Sequence, residues 1–322
     1  MRKAVAVLLL LVLASGTGWY LGKHDVGEIN PSDFASLFQS EETSFQQPQP
    51  NVARTSDTVR VASFNIQVFG TTKAGKAHVM DILARIVRDF DVVAIQEMRS
   101  RDQSVVPQFV DLINATGRHY DYAIGPRLGR TSSQEQYVYL FDTASVEIDR
   151  NQLYTIDDPD DLLHREPYVA WFRVRGPPAE QAFTFTLINL HTDPDEVDVE
   201  LNVLDDVYRV VRDDGRNEDD VIVLGDLNAG DKNMGDIKQI PGITWVVSNT
   251  PTNTRGTAQY DNLVFHSHAT REFTGRGGVF DFLQRYNLTM EEALEVSDHM
   301  PVWAEFSVYE GGRTGQIASV IE

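Results

Sequence analysis

An α/β fold in which helices bury sheets is what this sequence predicts, on three observations. Helical periodicities alternate with short apolar runs, those runs are rich in β-branched residues, and polar residues recur where the runs end. The globular part begins with the apolar stretch Val59-Arg60-Val61-Ala62-Ser63-Phe64, read as a strand. Val79, Ile82, Leu83 and Ile86 fall at helical spacing, and Asp91-Val92-Val93-Ala94-Ile95 follows as a buried strand. Thr184 to Leu190 is read as a strand, and Leu204, Val207, Tyr208 and Val211 mark a second amphipathic helix. Val221-Ile222-Val223-Leu224 is a third buried run. Tyr260 to Phe265 and Pro301 to Val308 supply late strands with alternating faces. No internal repeat is evident.

Composition narrows the chemistry. The chain has 322 residues and 42% hydrophobic content, enough for one large domain with a substantial core. It contains no cysteine, which excludes disulfides, thiolate metal sites and cysteine nucleophiles together. The formal charge is −20, and only six of its 28 basic residues are lysines. Such a surface repels polyphosphates, so a simple electrostatic binder of nucleic acid is disfavoured. Divalent cations held among carboxylates would reverse that sign locally.

The N-terminus carries Arg2 and Lys3, an unbroken apolar run from Ala4 to Ala14, and then Ser15-Gly16-Thr17-Gly18, the pattern of a secretory signal. Apolar character resumes at Trp19, Tyr20 and Leu21, so residues 1–22 read as a signal peptide or a membrane anchor. Either way the domain is expected outside the cytoplasm, whether secreted, periplasmic or anchored. Residues 23–58 read as a polar, disordered linker, 59–309 as the globular domain and 310–322 as a flexible tail.

The chemistry-bearing residues sit at the ends of the strands. Phe64-Asn65 closes the first and Gln96-Glu97 the next. Leu190-His191-Thr192 closes a third, and Gly225-Asp226-Leu227-Asn228 follows a fourth. Tyr260-Asp261-Asn262 opens a strand, and Ser297-Asp298-His299 precedes the last. Carboxylates and amides converging in this way are hard-oxygen ligands of the kind Mg²⁺ takes, and the two histidines can titrate near neutral pH. Any one of these motifs alone reads as a turn or a cap. Six of them in series, each at a strand boundary, do not.

The arrangement resembles the endonuclease/exonuclease/phosphatase superfamily, and within it the deoxyribonuclease I branch. The resemblance runs from Val59 to Val308. It is supported by Ala62 to Gly70, Ile95 to Arg99, Gly125 to Arg130, Glu135 to Phe141, Arg165-Glu166-Pro167 and Asp281-Phe282. It implies a four-layer α/β/β/α sandwich of two packed mixed sheets, and a metal-dependent endonuclease acting on the phosphodiester bonds of DNA. It also implies Mg²⁺ or Mn²⁺ on Glu97, assisted by Asn65 and Asp298, with Asp226 and Asn228 holding metal, phosphate and attacking water. His191 and His299 would be the acid/base pair, oriented by Glu135 and Asp261, with either histidine as the acid. Arg99 and Arg165 would contact DNA. A structural Ca²⁺ is implied near Asp157-Asp158-Pro159-Asp160-Asp161, on Asp161 and Glu166, where the plain alternative is a solvated acidic turn.

The sequence also departs from that branch. Gln67 stands in place of an arginine; Thr131 and Ser133 stand in place of an asparagine and an aromatic residue in the loop that enters the minor groove in the family, and Asn233 in place of a tyrosine that touches the groove's far side. Thr250 stands where an aspartate of a second calcium region is expected. Other readings of the same fold are a sphingomyelinase-like esterase, a phosphatase of inositol or sugar phosphates, and a silent binding module. The intact set of histidines and carboxylates disfavours the last. No obligate protein partner is evident from the sequence.

Overall fold

The computed structural model describes residues 57–131 and 133–312. The expected signal or anchor, most of the linker and most of the tail lie outside them. Among the described residues no helix is long and apolar enough to cross a membrane.

Among the described residues, thirteen strands form two sheets. The first contains β1 (Thr58–Phe69), β2 (Val92–Met98), β3 (Tyr120–Ile124), β4 (Gln136–Asp142), β12 (Phe273–Val279) and β13 (Val302–Ser307), in the order β12-β13-β1-β2-β4-β3. The second contains β5 (Val146–Ile148), β6 (Tyr154–Thr155), β7 (Tyr168–Val174), β8 (Thr184–His191), β9 (Val221–Asp226), β10 (Ile243–Trp245) and β11 (Asp261–His266). Its order is β10-β11-β9-β8-β7-β5, with β6 pairing to β7. Only β1/β2 and β8/β9 are parallel pairs, one at the centre of each sheet, and every other pairing is antiparallel. The helices are α1 (Thr71–Ala74), α2 (Ala77–Val87), α3 (Val105–Asn114), α4 (Val197–Arg212), α5 (Phe282–Arg285) and α6 (Met290–Val296).

Three apolar layers hold these elements together, which makes the fold the four-layer sandwich the sequence implied. Strand alternation divides the side chains: Val92 and Ala94 enter the layer between the sheets, while Val93 and Ile95 face the outer layer under α2 and α3. In β9, Ile222 and Leu224 point between the sheets, and Val223 points to the outer layer under α4. The middle layer is aromatic, with Phe172, Phe183 and Phe185 stacked in succession and Phe183 stacked on Phe306 across it. The apolar runs therefore read as continuous because both faces of the central strands are buried.

A buried polar network also crosses between the sheets, close to the strand ends that carry the chemistry. The Tyr139 hydroxyl donates to the carbonyls of Tyr168 and Leu187 at 2.7 and 3.0 Å and accepts the Asn189 amide at 3.0 Å. Gln96 Nε2 donates to Asn189 Oδ1 at 2.7 Å, and Asn189 Nδ2 donates to the Ile95 carbonyl at 3.2 Å. Each of these groups is satisfied only when the two sheets sit in one register, so the network fixes the offset that apolar packing alone would leave free. Gly225 serves the same closeness within the second sheet: a Cβ there would lie 1.9 Å from the Leu190 carbonyl oxygen. No other residue lets β9 come so near β8 just before Asp226.

Candidate active site

Asn65, Glu97, His191 and Asp226 lie at the C-terminal ends of the four central parallel strands, where two edges of polar residues face each other. Asn65 Nδ2 donates to Asp226 Oδ2 at 2.9 Å, across the gap between the sheets, and to Glu97 Oε1 at 3.3 Å. His191 sits directly beside Asp226 in the β8/β9 register, and Asp261 beside Asp226 in β11/β9. Three carboxylates and the His191 imidazole thus converge because the strands that carry them are neighbours, and His299 joins them from the segment before β13.

Each histidine has its own buried carboxylate. His191 Nδ1 lies 2.8 Å from Glu135 Oε1, and His299 Nδ1 lies 2.9 Å from Asp261 Oδ2. A carboxylate only accepts, so both Nδ1 atoms carry the proton and both Nε2 atoms turn inward. They meet at one oxygen: Asp226 Oδ2 is 3.4 Å from His191 Nε2 and 3.5 Å from His299 Nε2. Thr252 Oγ1 donates to Asp261 at 2.6 Å and the Tyr137 hydroxyl accepts the His191 amide at 2.9 Å, so both dyads are braced from behind.

The electrostatics follow from this crowding. Burial alone would lower both imidazoles, but Glu135 and Asp226 raise His191 above its ordinary value, and Asp261 and Asp226 push His299 up to about 10. Burial acts to raise Glu135, yet His191, Arg165 and Arg99 outweigh it and hold this carboxyl below its ordinary value. Burial dominates at Asp261, which is raised, so the Asp261–His299 pair keeps its shared proton well above neutral pH.

Backbone strain is concentrated here. Glu97 has φ +62°, and Gln67 and Val68, just beyond Asn65, have φ +40° and +51°. Left-handed geometry is unfavourable for a β-branched residue and unusual for glutamate. The strain aims the Glu97 carboxylate back across β1: its Oε2 accepts the Val68 amide at 2.7 Å and pairs with Arg99 at 3.1 Å. Asn228, at φ +47°, closes the Asp226 turn, its amide donating to Asp226 Oδ1 at 2.9 Å and its side chain to the Thr192 carbonyl at 2.9 Å.

Not every residue expected at the site lies in it as expected. Asp298 flanks His299, with an oxygen 4.0 Å from Nε2 and a half-exposed side chain. Arg99 stays partly exposed at the rim, tied to Ser133 Oγ at 2.8 Å. Arg165 is buried: it donates to the His191 carbonyl at 2.9 Å and lies 3.6 Å from both Glu135 and Asp193. A guanidinium so enclosed by acceptors positions the dyad and offers little to a phosphate in solvent. Asp161 pairs with Arg130 at 2.9 Å, and neither it nor Glu166 belongs to a set of three close acidic or imidazole ligands among the described residues.

One residue escaped the sequence reading. Lys73, at the end of a helical turn after β1, donates to the carbonyls of Ile66 and Val296 at 2.7 and 2.8 Å, bracing the segments that carry Asn65 and Asp298. Burial lowers its ammonium to about 8, against the pull of Asp298 and Glu97. The signal was there in principle: a lysine three residues after the Ala62–Gly70 motif in a lysine-poor chain.

The donor set fits a hard divalent ion. Asn65, Glu97, Asp226, Asn228 and Asp298 offer oxygens, and Asp226, Asp261 and His299 place ligand atoms within 4.8 Å of one another.

The Glu135–His191 pair makes a prediction about pH. Glu135, with its value depressed, contributes stability that is complete above its ordinary 4.5 and lost as pH falls through the depressed value. His191, with its value raised, contributes stability that is complete below its ordinary 6.5 and lost as pH rises through the raised value. Glu135→Gln should therefore cost roughly 3 kcal/mol between about pH 4.5 and 6.5 and less on either side. Denaturant melts of both proteins across pH 3 to 10 measure this; a difference independent of pH would contradict the pairing.

Comparison with known proteins agrees with this geometry. Residues 62–299 match the model of the endonuclease/exonuclease/phosphatase family. The chain is 32% identical over 263 residues to deoxyribonuclease gamma of Rattus norvegicus, covering 76% of this chain and 83% of the relative. It is 32% identical over 269 residues to deoxyribonuclease-1-like 1 of Homo sapiens, covering 80% and 87%. Among solved structures, an endonuclease/exonuclease/phosphatase family protein from Bacteroides thetaiotaomicron superposes with a TM-score of 0.51 at 15% identity, over 78% of this chain and 97% of that one. Truncated Caenorhabditis elegans TDP2 does so with a TM-score of 0.52 at 15% identity, over 78% and 98%. The chain belongs to the endonuclease/exonuclease/phosphatase family.

Proposed function

We propose that this protein is a divalent-metal-dependent endonuclease that hydrolyses phosphodiester bonds in DNA, in the manner of deoxyribonuclease I. The observation that carries the reading is the paired dyad: two imidazoles, each fixed at Nδ1 by its own carboxylate, present Nε2 to one buried point. The deoxyribonuclease relatives supply the substrate class.

Hydrolysis of a diester needs one group to take a proton from water and another to give one to the departing oxygen. The inward Nε2 atoms of His191 and His299 suit both tasks. One accepts the water proton as the new P–O bond forms; the other donates to the sugar oxygen as the old P–O bond breaks. Glu135 and Asp261 hold the rings in the tautomer that leaves Nε2 free for this exchange. Glu97, with Asn65 and Asp298, would hold Mg²⁺ or Mn²⁺, which when bound neutralises the charge that builds on the phosphate. Asp226 and Asn228 orient the water and phosphate, Arg99 meets the substrate at the rim, and Arg165 keeps Glu135 and His191 in place.

Incubation with supercoiled plasmid tests the proposal. Nicking should require Mg²⁺ or Mn²⁺ and stop with EDTA, and His191→Ala and His299→Ala should each slow it about a hundredfold or more. Phosphate release from monoesters with intact plasmid would overturn the nuclease reading.

The basic and apolar N-terminus supports a further proposal, that the domain works outside the cytoplasm, secreted, periplasmic or anchored. Cell fractionation with N-terminal sequencing should recover it in the exported fraction, cleaved after Ala14 or Gly16 or retained on membranes. Intact protein in the soluble cytoplasm would contradict export.

A further inference from the structure

A second convergence of carboxylates lies at the other end of the sandwich. Asp220 immediately precedes β9, Glu272 precedes β12 and Glu310 follows β13, so both sheets contribute. Asp220 stands six residues before Asp226, which along an extended strand is roughly 20 Å from the active site. Oxygens of the three carboxylates lie within 4.8 Å of one another.

What distinguishes this cluster from a solvated acidic surface is its burial without partners. Asp220 and Glu272 are each 1% exposed. Among the described residues, both oxygens of Asp220, Oε2 of Glu272 and the buried Thr270 hydroxyl have no hydrogen-bond partner outside the cluster itself. Among the described residues no lysine, arginine or histidine forms an ion pair with any of the three acids. The remaining bonds face outward: Glu272 Oε1 accepts the Gly311 amide and Glu310 Oε2 the Thr184 amide at 3.2 Å. Orphaned buried carboxylate oxygens are costly, and three acids this close cannot all be ionised unaided. Burial, then Glu272 beside it, pushes Asp220 up to about 9.

We propose that Asp220, Glu272 and Glu310, with the Thr270 hydroxyl, form a binding site for a structural calcium ion that ties the two sheets together at the end remote from the active site. An all-oxygen donor set suits a hard cation. The dryness of Asp220 and Glu272 selects against Mg²⁺, which keeps several of its waters, and favours Ca²⁺, which accepts many protein oxygens in flexible geometry. Without the ion, protons take its place. The inference stands apart from the nuclease reading, since none of these residues belongs to the active site.

The test uses the full chain stripped with EGTA, its melting midpoint followed with CaCl₂, with MgCl₂ and without either, in wild type, Asp220→Asn and Glu272→Gln. Calcium at about a hundredfold above its dissociation constant should raise the wild-type midpoint by roughly 5–10 °C. Each variant should lose most of that rise, and calorimetric titration should count one Ca²⁺ fewer per chain. The midpoints should also cross: Asp220→Asn, spared the protonation that burial forces on the ion-free carboxylate, melts at or above the wild type in EGTA and below it in calcium. If the buried variants do not fold, Glu310→Gln on the exposed rim reads the same loss. Equal calcium stoichiometry in wild type and variants, or an equal rise with Mg²⁺, overturns the proposal.

Discussion

The structure turns on one buried carboxylate. Asp226 Oδ2 accepts the Asn65 amide from the opposite sheet, and the Nε2 atoms of His191 and His299 close on the same oxygen. Its other oxygen holds the turn that presents Asn228. At 1% exposure it has little water to lean on, so its surroundings must be arranged around it. The sheet register, the Gly225 approach to β8 and the cross-sheet network of Tyr139, Gln96 and Asn189 all serve that arrangement. Displacing one sheet by a residue would turn Asn65 or Asp226 to the opposite face and dissolve the site.

The same logic explains where strain is tolerated. Parallel strands end together, so their C-terminal residues can share one edge, but a carboxylate in regular extended geometry at Glu97 would not point back over β1. The left-handed conformation at Glu97 and the bulged pair Gln67–Val68 re-aim it, and the Val68 amide and an ion pair with Arg99 hold it there. An acidic protein can thus act on a polyanion: the carboxylates are gathered where a cation can use them, and arginines are placed behind or beside them.

Much of this was legible in the sequence, for identifiable reasons. Strands buried on both faces announce themselves as apolar β-branched runs, so β2, β8 and β9 stand out, and helices one-sidedly buried, such as α2 and α4, show their 3.6-residue period. The strand-end motifs locate Asn65, Glu97, His191, Asp226 and Asp298, and the resemblance pairs Glu135 with His191 and Asp261 with His299, at distances of 2.8 and 2.9 Å. What stayed hidden depends on contacts between segments far apart in sequence. Arg165 looks like any exposed arginine until Glu135, 30 residues earlier, and Asp193 enclose it. Lys73 acts through two carbonyls, which no side-chain pattern encodes. Asp220, Glu272 and Glu310 are single acids in an acid-rich chain, and only the folded sheets bring them together.

The central claim is that Asp226 couples the two imidazoles. Titrating both histidines by nitrogen-15 NMR in wild type and in Asp226→Asn tests it most directly. The account predicts that the raised values of His191 and His299 both fall in the variant, because Asp226 supports each of them. A variant in which either histidine titrates as before would contradict it.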